Sequence, residues 1–424
     1  MSKTSEFPGF YKLSPAERLD LIKNFANLSD DETSAIGNYG ALGEETANRM
    51  IENVAGTFPM PLGFAVNFKV NGESFVVPMA LEEPSVVAAA SNMAKGTLPT
   101  GITATSMDPI MIGQIQLVNI EDPFQAKEKI LEKEQEIIDL ANQQDPILVK
   151  FGGGCKGVKP RVIETERGPM VITHLLVDCR DAMGANAVNT MAEAVAPRLE
   201  TITGGRVYLR IISNLAIYRM TKAQARWPKD FLGGEEVVDG ILEAFAFAAA
   251  DPFRTSTHNK GIMNGIDPVV IATGNDWRAI EAGAHSYGAY KDGHSSFTTW
   301  SKSEDGDLLG EIEIPMAVGL VGGATATHPT AKACVKILGL EIPGGAEKLS
   351  QIICAVGLCQ NLGALRALAS EGIQRGHMGL HARNLAIQVG AKDDEIGKVS
   401  ERMKREGKVR ADMAEAYLKE LREQ

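Results

Sequence analysis

Residues 170–190 read MVITHLLVDCRDAMGANAVNT, and this run decides the fold. Met170 to Asp178 is rich in Val, Ile, Leu and Thr over the length of one strand. From Met183 the spacing changes to that of a long helix reaching Ile202. Working outward, Arg167-Gly168 is a turn signal, and Pro160 to Glu166 is the strand that pairs with Met170 to Asp178. Upstream, Gly113 to Ile120 is strand-like and Pro123 to Gln143 is a charged amphipathic helix. Ile147 to Phe151 reads as a short strand or the start of one, and Arg206 to Ile212 closes the series. The order is β-α-β-β-α-β, that of a ferredoxin-like split fold.

At 424 residues the chain is too long for one simple core. The expected class is α+β. A large helix-rich substrate domain (residues 1–109 and 215–375) carries an inserted ferredoxin-like cofactor domain (110–214), and 376–424 form a C-terminal helical flap. Phe64 to Val77 alternates around Asn71-Gly72, a hairpin signal. Ser85 to Lys95 is a small-residue helix, Lys348 to Ser370 a helix pair or one bent helix, and Gly372 to Gly379 a glycine-punctuated break.

The net charge of −11 argues against nucleic acid as a partner, because phosphate binding needs a basic face. It leaves room for an anionic small ligand held by a local cluster of cations. The N-terminus lacks a signal-peptide pattern, and no run of about 18 apolar residues suggests a membrane span. The five cysteines lack CxxC spacing, so free thiols in a cytoplasmic setting are expected. No Cys/His set has zinc spacing, and no metal is expected.

Gly152-Gly153-Gly154-Cys155-Lys156-Gly157 satisfies G-x-G-x-x-G literally. A dinucleotide fingerprint must open a helix, and Val158-Lys159-Pro160 follows instead, so a glycine-rich turn between strands is the better reading. Asp181-Ala182-Met183-Gly184-Ala185-Asn186 does open a helix. Asp181 suits a cap, and the small residues let a ligand approach the exposed N–H groups. Taken alone, this run reads first as capping and tight packing.

Four further stretches set ionisable residues beside small or glycine-rich backbone. They are Glu82-Glu83-Pro84-Ser85, His258-Asn259-Lys260-Gly261, Gly274-Asn275-Asp276-Trp277 and Gly376-His377-Met378. Reducing a thioester to an alcohol needs a cation for the developing oxyanion, an acid for the departing thiolate and a proton for the final alkoxide. Each stretch also has a bland reading: a solvated glutamate pair, a solvated loop lysine, and for Asp276 a helix N-cap. His381 competes with His377 one helical turn on.

Together these stretches resemble the 3-hydroxy-3-methylglutaryl-coenzyme A (HMG-CoA) reductase family in its class II form, lacking the N-terminal membrane domain of class I. The resemblance runs from about residue 9 to the C-terminus. It implies interconversion of HMG-CoA and mevalonate plus coenzyme A by two hydride transfers, through bound mevaldyl-CoA and mevaldehyde. It implies catalytic roles for Glu83, Lys260, Asp276 and His377, with Asp276 paired to Lys260. Asp181, Met183, Gly184, Ala185, Asn186 and Asn189 would meet the nicotinamide dinucleotide. Asp145, after the helix ending near Gln143, would accept from the adenosine 2′-OH and so favour NAD over NADP. On sequence alone an Asp-Pro turn explains Asp145 as well. Glu52, Ser85, Asn214, Arg254 and Asn264 match substrate-binding positions. A homodimer with its site at the interface is the implied minimum assembly, with room for a larger assembly of dimers. The rival reading is a non-redox acyl-CoA-binding or regulatory protein on the same fold.

Overall fold

The computed structural model describes residues 4–13, 15–37, 40, 42–51, 57–370 and 373–423. After a short 3-10 turn at Phe10–Lys12 come helices α1 (Pro15–Ala26), α2 (Asp30–Gly37) and α3 (Glu44–Met50). Strands β1 (Leu62–Val70) and β2 (Glu73–Ala80) form an antiparallel hairpin. Asn71 and Gly72 turn it, with φ of 50° and 84°. Two successive positive φ values suit the right-handed twist of the strands, which is why Asn-Gly is favoured there. Helix α4 (Val86–Gly96) and strand β3 (Thr103–Ser106) complete the N-terminal part.

The next segment runs β4 (Ile110–Val118), α5 (Pro123–Glu132), α6 (Glu134–Asn142), α7 (Pro146–Lys150), β5 (Gly154–Ile163), β6 (Met170–Asp178), α8 (Ala185–Thr203) and β7 (Arg206–Ser213). Its strands make one antiparallel sheet in the order β5-β6-β4-β7. Two expectations are corrected here. The long amphipathic helix is two helices separated at Lys133. The apolar run Ile147 to Phe151 is helix α7, not a strand: Pro146 stands at its first turn and Asp145 caps it by accepting from the Leu148 amide at 2.9 Å. Gly152-Gly153-Gly154 leads into β5, as the rejected fingerprint requires.

The remainder comprises β8 (Met220–Trp227), α9 (Lys229–Leu232), α10 (Glu235–Ala250), α11 (Pro252–Ala272), α12 (Trp277–Asp292), β9 (Thr298–Lys302), β10 (Leu308–Pro315), α13 (Gly323–Thr327), α14 (Pro329–Ile337), α15 (Gly345–Ala369), α16 (Ile373–Gln388), α17 (Asp394–Arg405) and α18 (Ala411–Arg422). A second antiparallel sheet has the order β3-β8-β10-β9. Helix α15 is one continuous helix and the centre of the main core. Leu349, Ile352, Ile353, Val356, Leu358 and Leu362 are fully buried along it. It is long and apolar enough to cross a membrane by composition, but two thirds of its most apolar window (67%) is buried inside the protein. Such a pattern, apolar on all sides, is that of a core helix.

Helices α16–α18 pack on a separate small core built from Ala382, Leu385, Ala386, Val399, Met403, Tyr417 and Leu418. Helix α16 is continuous through Gly376 and Gly379, so the expected glycine break is not present over its length. All five cysteines are free and buried, and desolvation raises their thiols, Cys155 to about 11 and Cys179 to about 12.

Candidate active site

Helix α11 carries the site. The sequence suggests a loop around Lys260, but the structure has a 21-residue helix. Asp251 caps it by accepting from the Arg254 amide at 2.8 Å, and Pro252 fits its first turn. Its Gly265 is explained by close approach to α15. A Cβ there would lie 2.7 Å from the Gln360 side chain and 3.1 Å from the Val356 carbonyl oxygen. At Gly265 the residue that suggests a loop is therefore a helix–helix contact, whereas a Cβ at Gly261 would meet nothing within 4 Å.

Lys260 projects toward the turn between β2 and α4. Its Nζ lies 3.3 Å from Glu83 Oε2, and Asn264, one helical turn further on, donates to the same oxygen at 3.3 Å. Of the adjacent glutamates, Glu82 is exposed and Glu83 is half-buried, so the environment separates them. Ser85 has φ of +74°, a left-handed conformation that is strained for a side-chain-bearing residue. Such strain clusters at functional turns.

Arg254 lies on the same helix, partly buried, and burial pushes its guanidinium below the ordinary value. No partner for that guanidinium is seen among the described residues, which leaves its planar fork open to a carboxylate. Asn214 is exposed and its backbone oxygen lies against Gly283 of α12, where a Cβ would come within 2.7 Å. Glu52 lies outside the described residues. His377 stands in α16, and its side chain lies outside what is described.

The expected Asp276–Lys260 pairing is replaced by other partners. Asp276 caps α12 by accepting from the Arg278 and Ala279 amides at 3.1 and 3.2 Å, and the Arg278 guanidinium lies 3.6 Å away. Next to it, Asn275 Oδ1 accepts from the Gly319 amide at 2.8 Å.

On the cofactor side, Asp181 is a cap, but of a different helix from the one expected. Its carboxylate accepts from the Gly344 amide at 3.0 Å and the Ala346 amide at 2.9 Å, at the start of α15. Helix α8 begins after Gly184 with no side-chain cap on its first turn. Met183 and Ala185 are partly exposed there and Asn186 is exposed. Asn189 is engaged elsewhere, accepting from the Ile212 amide at 2.9 Å and so fastening β7. Asp145 has one oxygen on the Leu148 amide.

Behind the exposed face of α11 lies a buried polar network that the motifs do not reveal. His258 Nε2 meets Thr298 Oγ1 at 2.8 Å, and Thr298 and Trp300 Nε1 both donate to Asn361 Oδ1 at 2.9 Å. Asn259 donates to the Ser295 carbonyl at 2.9 Å. Burial and the Arg254 cation push His258 down to about 3. The contact between Ser256 Oγ and His294 Nε2, 3.0 Å, joins positions 38 apart that no local pattern links. A cavity of about 1560 Å³ is lined by residues such as Phe7, Phe58, Met60, Val87 and Lys95, and by neither Glu83 nor Lys260. No group of three or more metal-ligating side chains is present among the described residues.

Residues 14–382 match the family model for hydroxymethylglutaryl-coenzyme A reductase. The 3-hydroxy-3-methylglutaryl-coenzyme A reductase of Archaeoglobus fulgidus is 57% identical over 420 residues, covering 99% of this chain and 95% of the relative. The chain belongs to the HMG-CoA reductase family. A probable reductase from Borreliella burgdorferi is 33% identical, covering 97% of this chain and 95% of its own length. Among solved structures, the Streptococcus pneumoniae HMG-CoA reductase superposes with a TM-score of 0.83 at 39% identity, over 98% of this chain and all of that one. A class II structure from the same organism, bound to NADPH in open conformations, gives a TM-score of 0.81 at 40% identity, over 97% of this chain and all of that one. The chain is thus a family oxidoreductase of the bacterial and archaeal type.

Proposed function

We propose that the chain interconverts HMG-CoA and mevalonate plus coenzyme A with a nicotinamide cofactor, and that NAD(H) is preferred. The observation that carries the reading is the convergence of Lys260 and Asn264 on one oxygen of Glu83, on the same helix that carries Arg254. Two molecules of reduced dinucleotide, bound one after the other, would each supply one hydride. The uncapped start of α8, with Met183, Gly184, Ala185 and Asn186, holds the dinucleotide's diphosphate.

Lys260 stabilises the oxyanion on the thioester carbonyl and again on the aldehyde oxygen. When mevaldyl-CoA collapses to mevaldehyde, the C–S bond breaks and His377 protonates the departing thiolate. Glu83 gives its proton to the final alkoxide, and Asp276 tunes the pair from the start of α12. Arg254 takes the free carboxylate of the substrate, with Ser85, Asn214 and Asn264 donating to its other oxygens. Glu52 belongs to the same binding surface. Residues 110–214 are the ferredoxin-like cofactor domain, inserted between 1–109 and 215–375, and the helices from about 376 onward are the flap that brings His377 in. The working form is a cytoplasmic homodimer.

The Streptococcus pneumoniae relative is described with NADPH, so cofactor choice is the finer point. Asp145 decides it: a carboxylate accepts from a 2′-OH and repels a 2′-phosphate. The test is mevalonate oxidation with coenzyme A, followed by nicotinamide absorbance with NAD and NADP in parallel. Faster turnover with NAD, reversed by Asp145→Ala, supports the reading. Faster turnover with NADP removes the selector role from Asp145, and no turnover with either removes the enzyme reading.

A further inference from the structure

Arg219 lies just before β8 and is almost wholly buried, 5% exposed. Desolvation pushes its guanidinium down. Burying a cation costs several times what a surface cation costs, so its partners must be good. They are not carboxylates. Asp178 is occupied by Arg180, and Asp181 by the amides at the start of α15. The guanidinium instead donates to three backbone carbonyls. Nη1 reaches Ala182 O at 3.0 Å and Met183 O at 3.1 Å, and Nη2 bonds Val318 O.

Two of these carbonyls sit immediately before Gly184, where α8 begins. A trans peptide sets its N–H opposite its C=O. With Met183 O drawn into the protein by Arg219, the N–H of Gly184 must face the other way. Gly184 is itself buried and directly precedes the uncapped first turn of α8, where Ala185 and Asn186 reach the surface. The third carbonyl belongs to a segment whose next residue, Gly319, donates to Asn275 Oδ1 beside Asp276. Gly319 packs so closely on the turn that a Cβ would stand 2.2 Å from Met183 N. Leu320 donates to Asp181 O at 2.7 Å, and Ala182 bridges to Val321. One buried side chain therefore ties the turn at the head of α8 to the segment that meets the start of α12.

We propose that Arg219 is a positioning residue for the dinucleotide: it holds the Ala182 and Met183 carbonyls inward, so that the Gly184 amide faces the diphosphate, and anchors that turn to the Val318–Gly319 segment beside Asp276. The inference rests on the reading of residues 181–186 as the cofactor's seat. A lysine would keep the charge but lacks the planar fork that serves two segments at once.

The test is binding of NAD(H) to the free enzyme, measured by calorimetry or nicotinamide fluorescence, for wild type, Arg219→Lys and Asn186→Asp. Steady-state KM values are measured beside it. Folded R219K is expected to weaken dinucleotide binding about tenfold or more, with the KM for HMG-CoA within about twofold of wild type. A merely structural role would lower melting temperature and active fraction but leave the dinucleotide Kd alone, and that result overturns the proposal. N186D places a charge at the same helix start. If it weakens binding while R219K does not, the seat stands and the role of Arg219 falls. If N186D has no effect, the reading of the seat is wrong and the proposal falls with it. Should R219K not fold, amide-resolved hydrogen exchange on the wild type decides. A Gly184 amide that exchanges readily and is slowed by NAD(H) supports the proposal; one protected before the dinucleotide is added overturns it.

Discussion

The two faces of α11 are made from similar residues and do opposite things. On one face Lys260 and Asn264 stand largely or partly exposed, with contacts of 3.3 Å to Glu83. On the other, His258 and Asn259 are sealed in the core and bonded at 2.8 and 2.9 Å to Thr298 and the Ser295 carbonyl. A polar side chain bonded inside the core helps hold the helix still, even though His258 Nδ1 finds no hydrogen-bond partner there. One that stands at the surface and is only partly engaged has bonding capacity to offer a substrate. Within one element, rigidity and reactivity are divided by direction.

This contrast breaks if the front face proves structural. Lys260→Met is expected to lower kcat on the order of a thousandfold, because it removes the oxyanion's cation, while urea midpoints stay near wild type. Near-full turnover by the folded variant would sink the front-face reading. The back face should answer in the other currency. His258→Ala is expected to cost on the order of 3 kcal/mol of stability, since Thr298 loses one of its partners in a buried network and a void is left. Its pH signature follows from the depressed pKa. Native His258 stays neutral down to about pH 3, whereas the unfolded side chain protonates near 6.5. Stability contributed by the neutral ring is present above about pH 6.5 and is lost as pH falls toward 3. Urea titrations at several pH values should show this slope, and His258→Gln should flatten it; an unchanged slope would mean that another group carries it.

Smaller effects sharpen the boundary between the faces. Asn264→Ala is expected to lower kcat about tenfold with the melting temperature nearly unmoved, because it removes one hydrogen bond to the Glu83 carboxylate. A large loss of stability instead would place Asn264 with the buried network. Two turns on from Lys260, Asp267 is held protonated to about pH 8 by desolvation and by Glu281. The native chain then binds more protons than the unfolded chain between about pH 4 and 8, so stability falls as pH rises through that window. Asp267→Asn should relieve this, raising stability at pH 8 by on the order of 1 kcal/mol while changing little at pH 4. Equal melting curves at pH 8 would show that the carboxyl ionises in the native state without cost.

How much of this was readable from the chain depends on how local the cause is. The hairpin at Asn71-Gly72 and the β-α-β-β-α-β rhythm were legible, because turn chemistry and side-chain period are properties of neighbouring residues. Glu83, Lys260 and Asn264 were each legible as motif residues, but their convergence and the helix beneath two of them were not: the expected partner of Lys260 was Asp276. Gly261 and Gly265 argue for a loop until α15 is known to press on the helix at Gly265; Gly261 has open space around it. For Ile147 to Phe151, an apolar run of five suits strand or helix equally, and Pro146 with the Asp145 cap decides it. Asp181 had the form of an N-cap, but which helix it caps depends on residues more than 160 positions away. Arg219 gave no signal, since a lone arginine ahead of a strand looks like any solvated side chain.

Helix α15 begins on the Asp181 carboxylate and runs for 25 residues, about 37 Å, before the chain goes on into the helix that bears His377. That makes α15 a measured spacer. Its apolar side chains can drift as long as they stay apolar, while Asn361 is held by Thr298 and Trp300 and the residue count cannot change. One residue gained or lost within it would turn everything downstream by about 100° and shift it by about 1.5 Å, putting α16 out of phase with the rest of the molecule. Across the family, then, length differences should accumulate in the surface turns and spare this stretch, so that a gapless block of 25 columns marks it better than any single residue does.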